Sequence, residues 1–149
     1  MAIRLTSSSL SSPFEYISIH DEAVDAETKG FKDKWAQYRD GAIPEPPLRA
    51  GVEPTRWQLT PITNSRQRSY LQGFQEKHGN SALFVAYAAS GITGVSGLLD
   101  ENGEAVEIQF VREDKYQIVC EEQLAAIPAE VLVELGTVLL THDSLKKTS

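Results

Sequence analysis

The chain has 149 residues, a formal net charge of −7 and a single cysteine, and 41% of its residues are hydrophobic. A domain of that length buries roughly 70% of its unfolded surface, enough for one core without staples, and the acidic balance argues against direct binding to nucleic acid, which takes clustered Lys and Arg. Cys120 has no partner for an internal disulfide, and no zinc-ligand spacing surrounds it, which points to a reducing compartment. No stretch approaches the ~20 apolar residues of a bilayer span, and the first residues lack the apolar run of a signal peptide, so neither membrane insertion nor export is expected.

Residues 1 to 12, MAIRLTSSSLSS, are polar and Ser-rich and read as an arm. FEYISI, residues 14 to 19, joins aromatic and β-branched residues as a short strand does. HDEAVDAETKG is polar and reads as a loop. In FKDKWAQYRDG the rings of Phe31, Trp35 and Tyr38 fall at i, i+4 and i+7, one stripe of a helix that Gly41 stops. From Ala42 to Pro54 there are four prolines in thirteen residues, the mark of a stiff solvated connector and a domain boundary. The PxxP string from Pro44 to Pro47 is a minor alternative, a polyproline ligand.

TRWQLTPIT, residues 55 to 63, reads as an edge strand interrupted by Pro61. Asn64 is placed to cap a helix from Ser65 whose apolar face holds Tyr70, Leu71 and Phe74, ending near His78. Asn80 or Ser81 then caps ALFVAYAAS, a small-residue helix for which a buried strand is the competing reading, and Gly91, Gly94 and Gly97 break it. The alternation of Val106, Ile108 and Phe110 after Asp100 to Gly103 predicts a β-hairpin with Leu98-Leu99, followed by a third strand at Tyr116 to Val119 beyond the turn REDK. CEEQLAAIP and AEVLVELGTVLL predict two helices in tandem, the second with a wide apolar stripe over Val131, Leu132, Leu135, Val138 and Leu139. THDSLKKTS closes the chain as a polar tail.

Chemistry has few footholds. His20, His78 and His142 are the only imidazoles for a triad or a Cys-His site, and Cys120, where a strand meets a helix start, reads first as a small hydrophobe and only second as a reactive thiol. His20, Asp21, Glu22, Asp25 and Glu27 lack the spacing of zinc or calcium sites and read as a solvated acidic loop. The glycines at 91, 94 and 97 match neither a dinucleotide nor a phosphate loop, and Arg66 and Arg68 read as surface charges. No catalytic, metal or cofactor residue is assigned.

The order of parts from Trp57 to Leu145 carries a resemblance. LTPIT (59 to 63), a helix with Arg66 and Tyr70, a small-residue helix leading to Gly97-Leu98, the Asp-Glu-Asn-Gly turn (100 to 103), then IPAEV and ELG (127 to 136) resemble small tailed-bacteriophage proteins of the head and tail morphogenesis region. The chain departs from that pattern at Ser96 and at Glu107 to Gln109, and no functional residue is carried over.

The expectation is therefore an α+β protein: an N-terminal arm over residues 1–54, with one strand, one aromatic helix and a Pro-rich connector, and a compact domain over 55–149 with a small antiparallel meander packed against C-terminal helices. The resemblance implies a non-enzymatic virion or morphogenesis protein acting at head-tail or tail assembly, in the host cytoplasm and then in the virion. Its partners would be other phage structural proteins or further copies of itself, with Phe31, Trp35, Tyr38, Leu135, Val138 and Leu139 as the candidate interface. Two rivals stand beside it: an acidic inhibitor or DNA mimic that blocks a host complex, and an enzyme using Cys120 with a distant His.

Overall fold

The computed structural model describes residues 13–62, 65–113 and 116–148. The expected arm at 1–12, the cap Asn64 and the turn residues Asp114 and Lys115 lie outside that range. The fold is α+β, with antiparallel sheets of three and two strands. In chain order the elements are β1 (Phe14–Tyr16), α1 (Phe31–Arg39), β2 (Arg56–Leu59), α2 (Ser65–His78), α3 (Asn80–Gly91), β3 (Ile92–Ser96), β4 (Phe110–Glu113), β5 (Tyr116–Val119), α4 (Glu121–Ala126) and α5 (Ala129–Thr148).

Helices α3 and α5 form the centre, and glycine lets them approach. A Cβ built on Gly136 of α5 would stand 2.1 Å from the carbonyl oxygen of Phe84 in α3, and one on Gly91 would meet the Leu139 side chain at 2.3 Å. Leu135 and Leu139, at successive turns of α5, are fully buried in this crossing. Burying such a side chain is worth roughly 1.5–3 kcal/mol, so the apolar stripe of α5 is consumed inside the molecule. The ALFVAYAAS segment is a helix; its N-cap is Gly79, at φ 101°, and no side chain caps it, in place of the expected Asn80 or Ser81.

The larger sheet departs from the expected strand set. ITGVS is a strand, β3, where Gly94 was expected only to break the chain. Ile92, Thr93 and Val95 are β-branched and suit a pleated surface, and Gly94 faces Gln58, whose Cγ would lie 3.3 Å from an added Cβ. The register Gln58↔Gly94 then Leu59↔Ile92 leaves Thr93 over as a bulge, and its hydroxyl donates to Gln58 O at 3.3 Å. The hairpin at 98 to 110 is smaller than expected. Asp100 Oδ1 accepts the N–H of Asn102 and of Glu104, each at 2.9 Å, and Leu99 bridges Ala105, but residues 106 to 109 form no ladder. There the side chain of Gln123 replaces a partner strand: its Oε1 accepts the Gln109 N–H at 2.6 Å and its Nε2 donates to Glu107 O at 2.8 Å.

One sheet spans the boundary expected at residue 54. β1 adds to β2 in the register Phe14↔Leu59, Glu15↔Gln58, Tyr16↔Trp57, making the sheet β1-β2-β3. The Pro-rich segment is tied down at points, which corrects the solvated connector in part: Ala50 to Glu53 are exposed, but Pro46 and Pro54 are buried, the Asp25 N–H donates to Pro47 O at 2.9 Å, and the Arg49 N–H donates to Ala23 O at 2.7 Å. Proline retains its carbonyl as an acceptor, so a Pro-rich strand edge can still be tied from one side. Among the described residues no helix is long and apolar enough to cross a membrane.

Candidate interaction surfaces

Two places on the molecule combine shape with chemistry. The first is the junction between the segment 14–54 and the helices. Glu134 of α5 stands beside the apolar stripe, one turn from Val131 and from Val138, and its carboxylate faces the chain just after β1. The Tyr16 hydroxyl donates to Oε2 at 2.7 Å, the Ile19 N–H to the same oxygen at 2.9 Å, and the buried Ser18 hydroxyl to Oε1. Three donors on one carboxylate form charge-assisted hydrogen bonds, stronger than neutral ones. Burial, with the Glu134 carboxylate beside it, holds the Tyr16 phenol far above its usual range.

Tyr16 is also part of an aromatic cluster. Its ring centroid lies 6.3 Å from that of Trp35, edge-on, and 5.9 Å from that of Tyr38, stacked; Trp35 in turn lies 5.3 Å from Tyr38 and 6.1 Å from Phe31. The Tyr38 hydroxyl accepts the Ile17 N–H at 2.8 Å, and burial pushes its pKa up to about 12. The i, i+4, i+7 stripe of α1 thus closes onto β1. On the rim, Arg56 donates to Glu15 at 3.0 Å and to Glu45 at 2.7 Å.

The second place is a half-open cavity of about 480 Å³ between α2, α3, the β4–β5 ribbon and α4. Leu71, Val85, Ala89 and Ile118 give it apolar walls, and Tyr70, Glu121 and Val111 on β4, which is 47% exposed, also line it. The Ser90 hydroxyl on this wall is buried and has no hydrogen-bond partner among the described residues. Apolar walls with two hydroxyl-bearing side chains, Tyr70 and Ser90, and one carboxylate fit an amphipathic side chain better than a charged metabolite.

Of the residues expected at an interface, Trp35, Leu135 and Leu139 are buried within the chain and the other three are half-buried. Trp35 is 8% exposed, Leu135 0% and Leu139 1%, while Phe31, Tyr38 and Val138 are half-buried against the same core. In this chain the rings meet one another around Trp35, with Tyr16 against Trp35 and Tyr38, and Leu139 meets α3 at Gly91. Cys120 is half-buried at the N-cap of α4, where its N–H donates to Gln109 O at 2.9 Å. The acidic loop is internally tied: Asp21 accepts the N–H groups of Ala23 and, at 2.8 Å, Thr55, and Asp25 accepts that of Glu27. Among the described residues no three His, Cys, Asp or Glu side chains come together as metal ligands. Arg68 is half-buried and Arg66 exposed. Glu134 was the residue sequence reasoning missed, although a lone carboxylate beside an apolar stripe is a visible signal. Comparison with protein-family models, with curated protein sequences and with solved structures finds no match.

Proposed function

We propose that this chain is a non-enzymatic virion or morphogenesis protein of a tailed phage, working through protein–protein interfaces at the head-tail junction or the tail. The observation that carries the interface reading is the way residues 14 to 19 are held: a short strand added to the edge of β2, with its far end anchored on Glu134. Addition of an extended segment to a sheet edge is a recurring mode of protein recognition, in which backbone hydrogen bonds supply affinity and side-chain pockets supply register. The assignment to a phage rests on the order of elements from Trp57 to Leu145. The protein would then gather in the host cytoplasm during assembly and remain in the particle, among other structural proteins or copies of itself.

Deleting the reading frame from the phage genome that carries it tests this directly. Electron microscopy of the lysate should show unjoined heads and tails, and expression of the protein in trans should restore complete particles. Infectious particles of normal form without the protein would overturn the proposal.

A further inference from the structure

We infer that residues 14–50 form an exchangeable arm, and that a second copy of this chain can dock its arm on β2 and Glu134 in place of the resident one. This deepens the interface reading by naming the partner, and it does not depend on the phage assignment.

The arm is folded on itself. Residues 23–25 are tied to residues 47–49 by the Asp25–Pro47 and Arg49–Ala23 backbone bonds and the Val24–Leu48 bridge, and Tyr16 stacks on Tyr38 of α1. It can therefore move as a unit. Its connection to β2 is of the opposite character: Ala50, Gly51, Val52 and Glu53 are all exposed, Gly51 turns the chain at φ +78°, and nothing lies within 4 Å of a Cβ built there. Such a turn is held by its own backbone conformation and not by packing, so it can extend at low cost.

The contacts between arm and body are both apolar and polar, and each is reproducible between copies. Tyr16, Ile17, Val24 and Trp35 share one buried core with Trp57 and Leu59, and the polar contacts are the three-residue register of β1 on β2, the three donors on Glu134, the Thr55 N–H on Asp21, and Arg56 with Glu15 and Glu45. With the arm lifted, β2 is an open edge carrying the buried Trp57 and Leu59, which must be covered again. An identical arm from a neighbour covers it with the same contacts, so the cost of exchange is the entropy of association. Identical elements traded through a short hinge are a low-cost route to a dimer, and the balance is set by concentration.

Glu15 and Gln58 are exposed and directly opposite in the β1–β2 register, and opposed residues in an antiparallel pair lie within disulfide reach. In the full chain carrying Cys120→Ser, one preparation receives Glu15→Cys and the other Gln58→Cys. Mixed at high concentration and oxidised mildly, they should form a covalent heterodimer whose peptides join positions 15 and 58. Adding Gly51→Val, which cannot hold φ +78° without strain, should raise its yield several-fold. A double variant, Glu15→Cys with Gln58→Cys, should close an intrachain bond when dilute, which shows that the variants fold. Heterodimer yield no greater than the self-dimer of Glu15→Cys alone, unmoved by Gly51→Val, while the double variant closes its bond, overturns the inference.

Discussion

Tyr16 and Glu134, 118 residues apart in the chain, are joined by a hydrogen bond of 2.7 Å from the phenol to Oε2. The same carboxylate takes the Ser18 hydroxyl and the Ile19 N–H, so one side chain of α5 fixes where the first strand ends. Removing it strands three donors at once. Glu134→Ala is expected to lower stability by about 3 kcal/mol, and Glu134→Gln, which keeps the size and one acceptor, by about 1–2 kcal/mol. Urea denaturation of the two variants should give that order; equal stability to the parent would show that the junction contributes nothing net.

Alkaline pH should loosen the same region. Tyr38 is pushed up to about 12 by burial, and Tyr16 lies higher still, against an unfolded value of 10.0. A raised pKa means the folded form keeps its proton while the unfolded form loses it. Stability is therefore whole below pH 10 and falls progressively above it. Tyrosinate absorbance near 295 nm should show these two of the five tyrosines ionising only as the fold is lost. Rapid, reversible ionisation of all five near pH 10 in the folded protein would contradict the burial described.

Gly136 is a steric requirement of the helix crossing. In Gly136→Ala the new methyl meets the Phe84 carbonyl, which is backbone and cannot rotate away, so α3 and α5 must part. A loss of about 2–3 kcal/mol is expected, the size of an overpacked core. Gly103→Ala has open space around it and suffers only its φ of +78°, for roughly 1–2 kcal/mol. Thermal melts that rank the two in the reverse order would refute the crossing.

Gln123→Ala removes the amide that stands in for a strand beside residues 107 to 109. Hydrogen exchange at the Gln109 amide should accelerate several-fold while the α3–α5 amides remain protected, because the change is local.

Arg56→Ala should matter little despite its two short ion pairs. Glu15 and Glu45 are 46% and 42% exposed, and solvated pairs contribute about 0–1 kcal/mol. A loss above 2 kcal/mol would mean that Arg56 also holds the arm by its stem.

Local signals were legible where the chain answers to its own neighbours. The helices at 31–39 and 65–78 and the part of the last helix up to Leu140 follow apolar spacing, the helix at 121–126 follows from Glu121 and Glu122 in its first turn, and the Asp100–Gly103 turn follows from an Asx side chain and a glycine at φ +78°; the last helix runs on to Thr148 through the segment read as a polar tail. The strand at 92–96 was hidden because glycine is a breaker by propensity, and only the presence of Gln58 opposite turns Gly94 into a fit. The stretch at 106–109 showed the reverse failure: its alternation is that of a strand, but Gln123 took the hydrogen bonds a neighbouring strand would have made.

The stripes on α1 and α5 illustrate the division between the two levels. Periodicity alone determined that Phe31, Trp35 and Tyr38 share a face, and that Leu135, Val138 and Leu139 share another. Such a face must be covered, because exposed apolar area of that size is costly, but spacing carries no information about what covers it. Tertiary structure decided that the rings close on Tyr16 and that α5 closes on α3 through Gly136 and Gly91. It also decided that Glu134, unremarkable in a list of charges, receives the first strand. Those choices are made between residues as many as 118 positions apart, where loop closure and shape, rather than local propensity, select the partner.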